Sequence, residues 1–131
     1  MGIYWVSVFR ESERVVKDLF WIGSSKKDLM DMPTEVQEVF GYALHLAQEG
    51  GKHSQAKPMK GLTSSGVLEV VEDFDGDTYR AVYTVKIGEA IYALHTFKKK
   101  SNKGIATPKH EIDLIKARIK DAEEHAKRQK K

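Results

Sequence analysis

No cysteine occurs in the 131 residues, so the chain can form neither a disulfide frame nor a thiolate zinc site, which agrees with a reducing cytoplasm. No run approaches the roughly 20 apolar residues that a membrane-spanning helix needs. The opening "MGIYWVSVFRESER" has too short an apolar stretch, and no small-residue cleavage site, for a signal peptide. The expectation is a cytoplasmic protein with no membrane partner. Neither a P-loop nor a GxGxxG stands in the sequence, and its five histidines lack metal-ligand spacing such as His-Glu-x-x-His; no cofactor and no metal are expected. An excess of one charge is also missing. With 22 basic and 19 acidic residues the formal net charge is +3, so partners must be read from where the charges lie.

The distribution is uneven. After the apolar run ending at Leu94, "HTFKKKSNKG" places Lys98, Lys99, Lys100 and Lys103 within six positions. Upstream, "IYWVSVF" suits either an extra strand or a ragged extension, whereas "DLFWIG" is a continuous apolar run stopped by Gly23 and reads as a strand. Ser24 and Ser25, with Asp28 three residues after Ser25, signal a short helix to Met32. Pro33 opens a second helix, in which Val36, Val39, Phe40, Ala43, Leu44 and Ala47 recur at helical spacing until Gly50 and Gly51. A loop follows, carrying Lys52, Lys57 and Lys60. The period then changes to two: "GVLEVVED", "TYRAVYTV" and "AIYALHTF" predict an antiparallel meander turned by Asp75-Gly76 and Gly88-Glu89. Pro108 opens an amphipathic helix with Ile112, Ile115, Ile119 and Ala122 on one side, decaying into the polar "EEHAKRQKK".

Two-residue turns fix which side chains share a face, because directly opposed residues point the same way. One face collects Glu69, Val71, Arg80, Val82, His95, Phe97 and Lys99. The other collects Leu68, Val70, Ala81, Tyr83, Val85, Tyr92 and Leu94, an apolar set suited to packing on helices. An acid, an arginine, an imidazole and a lysine on one open face, with the Lys57 to Lys60 loop at its edge, fit a phosphodiester-binding surface; taken by itself, a lysine run of this kind is more often a solvated strand end or an edge guarded against aggregation. The residues alone lead to an α+β domain with a basic face.

Five segments in order, "WIGSSKKDLMDMP", "GYALHLAQEG", "AKPMKGL", "VLEVVEDFDGDTYRAVYTV" and "LHTFKKKSNKGIATP", resemble the phage-derived branch of the RelE/ParE/HigB superfamily of toxins, over residues 18 to 122. The resemblance implies a RelE-like small antiparallel sheet with helices packed on one face and a C-terminal amphipathic helix. It places the toxin domain at residues 18–126, between an N-terminal extension (1–17) and a basic tail (127–131). It implies a type II toxin, a ribosome-dependent mRNA endoribonuclease that blocks translation by metal-free acid-base cleavage, with a gyrase inhibitor like ParE or an inactive antitoxin-binding module as alternatives. Its partners would be mRNA, the ribosome and a cognate helix-turn-helix antitoxin in an oligomeric complex. The family pattern maps onto Lys57, Lys60, Arg80 and Lys98 to Lys100; taken with the shared face and the lysine run, catalysis is expected at Lys57, Lys60, Arg80 and Lys99, and RNA or phosphate binding at Glu69, His95, Phe97, Lys98, Lys100 and Lys103. One departure stands out: "LEVV" keeps Glu69 but has Val71 where many relatives carry an arginine.

Overall fold

The structure, a computed structural model, describes residues 16–62, 66–99 and 107–129. The "IYWVSVF" segment, Lys100 and Lys103 lie outside the described residues. The apolar run before Gly23 becomes β1 (Leu19–Trp21), followed by α1 (Ser25–Met30) and α2 (Thr34–Gln48). The serine and aspartate signal at the start of α1 works through side chains as well as backbone, since the Ser24 hydroxyl donates to the Asp28 carboxylate at 2.8 Å. A two-residue strand, β2 (Lys57–Pro58), sits in what reads from sequence as loop. The meander is β3 (Val67–Phe74), β4 (Asp77–Ile87) and β5 (Ala90–Lys99), and α3 (Lys109–Gln129) closes the described chain. Helix α3 continues through "EEHAKRQ", which the sequence suggests is a polar tail; His125 and Ala126 are half-buried there, which gives the added turns something to hold.

The sheet order is β1-β5-β4-β3-β2, with β1 parallel to β5 and the remaining neighbours antiparallel. Asp75 and Gly76 both take positive φ, 51° and 84°, as the tight Asp-Gly hairpin turn requires, and Phe74 pairs with Asp77 across it. Between β3 and β4 the register is unbroken. Between β4 and β5 it slips twice: Ile87 pairs with Ala90 as a two-residue turn dictates, Thr84 pairs with Tyr92, and Val82 pairs with His95. The two slips cancel. Beyond His95 the counted register returns, with Arg80 opposite Phe97.

The slips also correct the expected faces. Tyr92 and Leu94 join not the face of Tyr83 but the opposite one, because each irregularity turns the intervening residues over. Helices α1 and α2 cover the first face, packing Leu29, Val36, Phe40, Ala43, Leu44 and Ala47 on Val70, Ala81, Tyr83, Ile91 and Ala93. Helix α3 crosses the second face, where Ile115, Ile119 and Ala122 meet Val67, Val82, Tyr92, Leu94 and Phe97. The α+β architecture and the C-terminal amphipathic helix are thus as expected, while the second face is half covered rather than open. Tyr92 and Leu94 supply the apolar area that draws α3 there, at roughly 25 cal/mol per Å² buried.

Candidate functional site

Strand alternation builds the site in rows. Glu69, Val82 and His95 lie in one row, Val71, Arg80 and Phe97 in the next, then Thr78 and Lys99, and Lys57 is opposite Glu69 from β2. At its centre the Arg80 guanidinium donates through Nη1 to Glu69 Oε1 at 2.7 Å. Glu69 is only 7% exposed and Lys99 8%, so two of the three charged groups are taken largely out of water. Arg80 Nε is also buried, with no hydrogen-bond partner among the described residues. Burial pushes the Lys99 ammonium below the ordinary lysine range and the Arg80 charge adds to this, against the opposing pull of Glu69. An acid, the arginine that clamps it and a lysine whose ammonium is held below its ordinary range therefore share one end of the face.

Beside them is a second cluster, made by α3. His95 is 6% exposed, its ring stacked on Phe97 with centroids 4.5 Å apart and planes 20° apart. Its Nε2 lies 2.6 Å from Glu111 Oε1, and its Nδ1 lies 3.4 Å from Arg118 Nη1. A guanidinium only donates, so Nδ1 accepts and the Nε2–H donates to the carboxylate, which fixes one neutral tautomer. Burial dominates and lowers the His95 pKa, with Glu111 opposing and Arg118 adding to the fall. Arg118 also donates to Leu94 O at 2.9 Å and to Ser24 Oγ at 3.2 Å, so it ties α3 to the sheet and to the turn before α1.

A family profile described as "Phage derived protein Gp49-like (DUF891)" matches residues 27–120, well over half of the chain. The chain belongs to the Gp49-like family. That family is associated with toxin–antitoxin systems, is RelE/HigB-like, and is linked to toxins in general, which is consistent with an antitoxin partner. A search of curated proteins finds no match.

The Gp49-like match spans every candidate site residue, and the structure sorts them. Glu69, Arg80, Phe97 and Lys99 come together, with the exposed Lys57 at the rim. Lys60 is exposed in the following turn. His95 shares the face but is turned into α3. Lys98 stands apart: it pairs with Tyr79, whose side chain packs in the α1 and α2 core, and its ammonium lies 3.2 Å from Asp77. Glu111 and Arg118 are the residues that reading the sequence misses. An acid in a helix's first turn is routine dipole complement, so Glu111 carries no distinguishing signal, and Arg118 is hidden among surface cations. Among the described residues of this Gp49-like chain, no helix is long and apolar enough to cross a membrane, and no group of three or more His, Asp or Glu side chains is placed to hold a metal ion.

Proposed function

We propose that this protein is a toxin that cuts RNA, a ribosome-dependent mRNA endoribonuclease working without a metal. The observation that carries the reading is the buried Glu69–Arg80 pair at 2.7 Å with Lys99 beside it. Such a set meets the needs of internal transesterification. The Glu69 carboxylate takes the proton of the ribose 2′-hydroxyl, and the 2′-oxygen forms its bond to phosphorus. Arg80 holds the charge that develops on the non-bridging oxygens, with Lys57 as a second cation at the rim. The bond from phosphorus to the 5′-oxygen breaks, and the Lys99 ammonium supplies that oxygen's proton. The products are a 2′,3′-cyclic phosphate and a 5′-hydroxyl. Lowering the Lys99 pKa makes its ammonium the better proton donor, so the burial that costs stability serves the leaving group.

Induced expression tests this directly. Growth should stop, and primer extension on translated messages should map cuts that vanish with Arg80→Ala; intact messages during arrest would sink the reading. A gyrase inhibitor is the second reading, favoured by Val71, which puts an apolar side chain opposite Arg80 where a further cation would assist cleavage. Purified gyrase losing supercoiling activity, with messages intact, would select it.

A further inference from the structure

The exposed lysines of α3 form a line. At 100° per residue Lys109, Lys116 and Lys120 fall within about 40° of one another along the helix, over roughly 16 Å, and all three are exposed. The helix's contacts say which way this line faces. Its apolar side, centred on Ile115 and Ile119, lies on the sheet. Arg118 marks one flank, reaching Ser24 beside β1 at one edge of the sheet. Ile112 leans to the other flank, since a methyl built on Gly61 would sit 3.6 Å from its Cδ1. The lysine line lies beyond Ile112, on the side of the loop that carries Lys57 and Lys60. Across the Gly61–Ile112 contact, five lysines therefore border one surface that leads to Arg80. Asp113 is the acid set within it, and it is engaged: Lys109 donates to its carboxylate at 2.9 Å. That bond, and then the charges of Lys109, Lys116 and His110, hold Asp113 below the usual carboxylate range, so Lys116 shares the same field. Glu123 and Glu124 interrupt the line in the next turn, and the exposed Lys127 resumes it at the helical angle of Lys109. Helices α1 and α2 with the residues that cap their C-termini differ, with Asp28, Asp31, Glu35, Glu38 and Glu49 against Lys26 and Lys27.

We propose that the flank of α3 bearing Lys109, Lys116 and Lys120, joined to Lys57 and Lys60, is a track for the phosphate backbone of a single RNA strand entering the Arg80 site. The proposal deepens the ribonuclease reading and rests on it for the direction of the strand. Backbone contacts of this kind give affinity and orientation without sequence preference, and they announce themselves by salt dependence.

A labelled 12-nucleotide single-stranded RNA with 2′-O-methyl riboses, which cannot be cut, tests it by fluorescence anisotropy across a salt series. Lys116→Glu/Lys120→Glu should weaken binding about tenfold or more and lower the salt slope by about 1.4, at about 0.7 per lost phosphate contact on a single strand. Lys26→Glu/Lys27→Glu, the same charge change on α1, should leave both unchanged. Equal losses in the two variants, an unchanged slope in the first, or no binding by the wild type would overturn the track. So would weakened antitoxin binding with RNA affinity intact, which would make this flank a protein surface. The two readings fail separately. Track binding by a wild type that cuts no message removes the nuclease and leaves the track; cutting that survives Lys116→Glu/Lys120→Glu, with the slope unmoved, does the reverse.

Discussion

The two faces of the sheet are made by the same strands and do different work. Under α1 and α2 the alternating residues Val70, Ala81 and Tyr83 meet Val36, Phe40 and Leu44, and that face has no buried ion pair among the described residues. On the reverse, the same strands present Glu69, Arg80, His95 and Lys99, half roofed by α3. Period-two alternation lets one strand serve a core and a reactive surface at once. The lesson is a division of labour. Changes on the first face should be read as stability, and changes on the second as activity or as the seating of α3.

Phe40→Ala is the strongest probe of that division. Phe40 is fully buried at the centre of the first core, so truncation should cost about 3–5 kcal/mol, measured by urea unfolding, with cleavage per folded molecule unchanged. Arg80→Ala should reverse the pattern: cleavage falls about 100-fold or more, since a donor to the developing phosphate charge is lost. It also strands the Glu69 carboxylate, so some stability goes with it. Glu69→Gln/Arg80→Met should restore the melting temperature and leave cleavage absent. Restored cleavage in that double variant would place the chemistry elsewhere.

The first face was legible in the sequence because its signals are local and redundant. Helical spacing marks α2, the Asp75-Gly76 turn sets the β3–β4 register, and the two together assign Val70, Ala81 and Tyr83 to the core. The site rows were legible for a subtler reason: the two slips between β4 and β5 cancel before Arg80 and Phe97, so a count that errs at Tyr92 and Leu94 comes right again at the site. The roof was not legible. Whether α3 lies on one face or the other depends on where Tyr92 and Leu94 point, and no local propensity encodes compensating bulges. His95 consequently reads from sequence as an open RNA-binding group, and the structure has it clasped by Glu111 and Arg118.

Gly23→Ala probes the seating of that roof. Gly23 sits at φ 58°, and a Cβ there would come within 2.8 Å of the Arg118 guanidinium. The backbone cost alone is about 1–2 kcal/mol, and the clash would push Arg118 from Leu94 O and Ser24. The expected result is a modest stability loss, with faster hydrogen exchange in α3 and unchanged exchange in α2. Equal exchange in both helices would mean that Arg118 does not fasten α3.

The smallest effect expected is a pH dependence, and it separates the faces most cleanly because the buried imidazole is on the second one. The groups facing His95 are Glu111 and Arg118 from α3 and Asp28 from α1. Burial outweighs the carboxylates, so the folded pKa lies below the ordinary value near 6.5. The unfolded chain then binds the proton more readily than the folded one, and stability must fall as pH drops. Its contribution is complete above the unfolded pKa and is lost as pH falls from there through the lowered folded pKa, with a slope of at most about 1.4 kcal/mol per pH unit. Protonating Nδ1 would also end its acceptance from Arg118 and set two cations face to face, so the loss should appear first as loosening of α3. Urea unfolding from pH 7.5 to 5.0 should show a decline that His95→Gln reduces, since a glutamine amide can still donate to Glu111 without titrating. A decline of the same steepness in His95→Gln would assign the dependence to other groups and leave the clasp a static fastening.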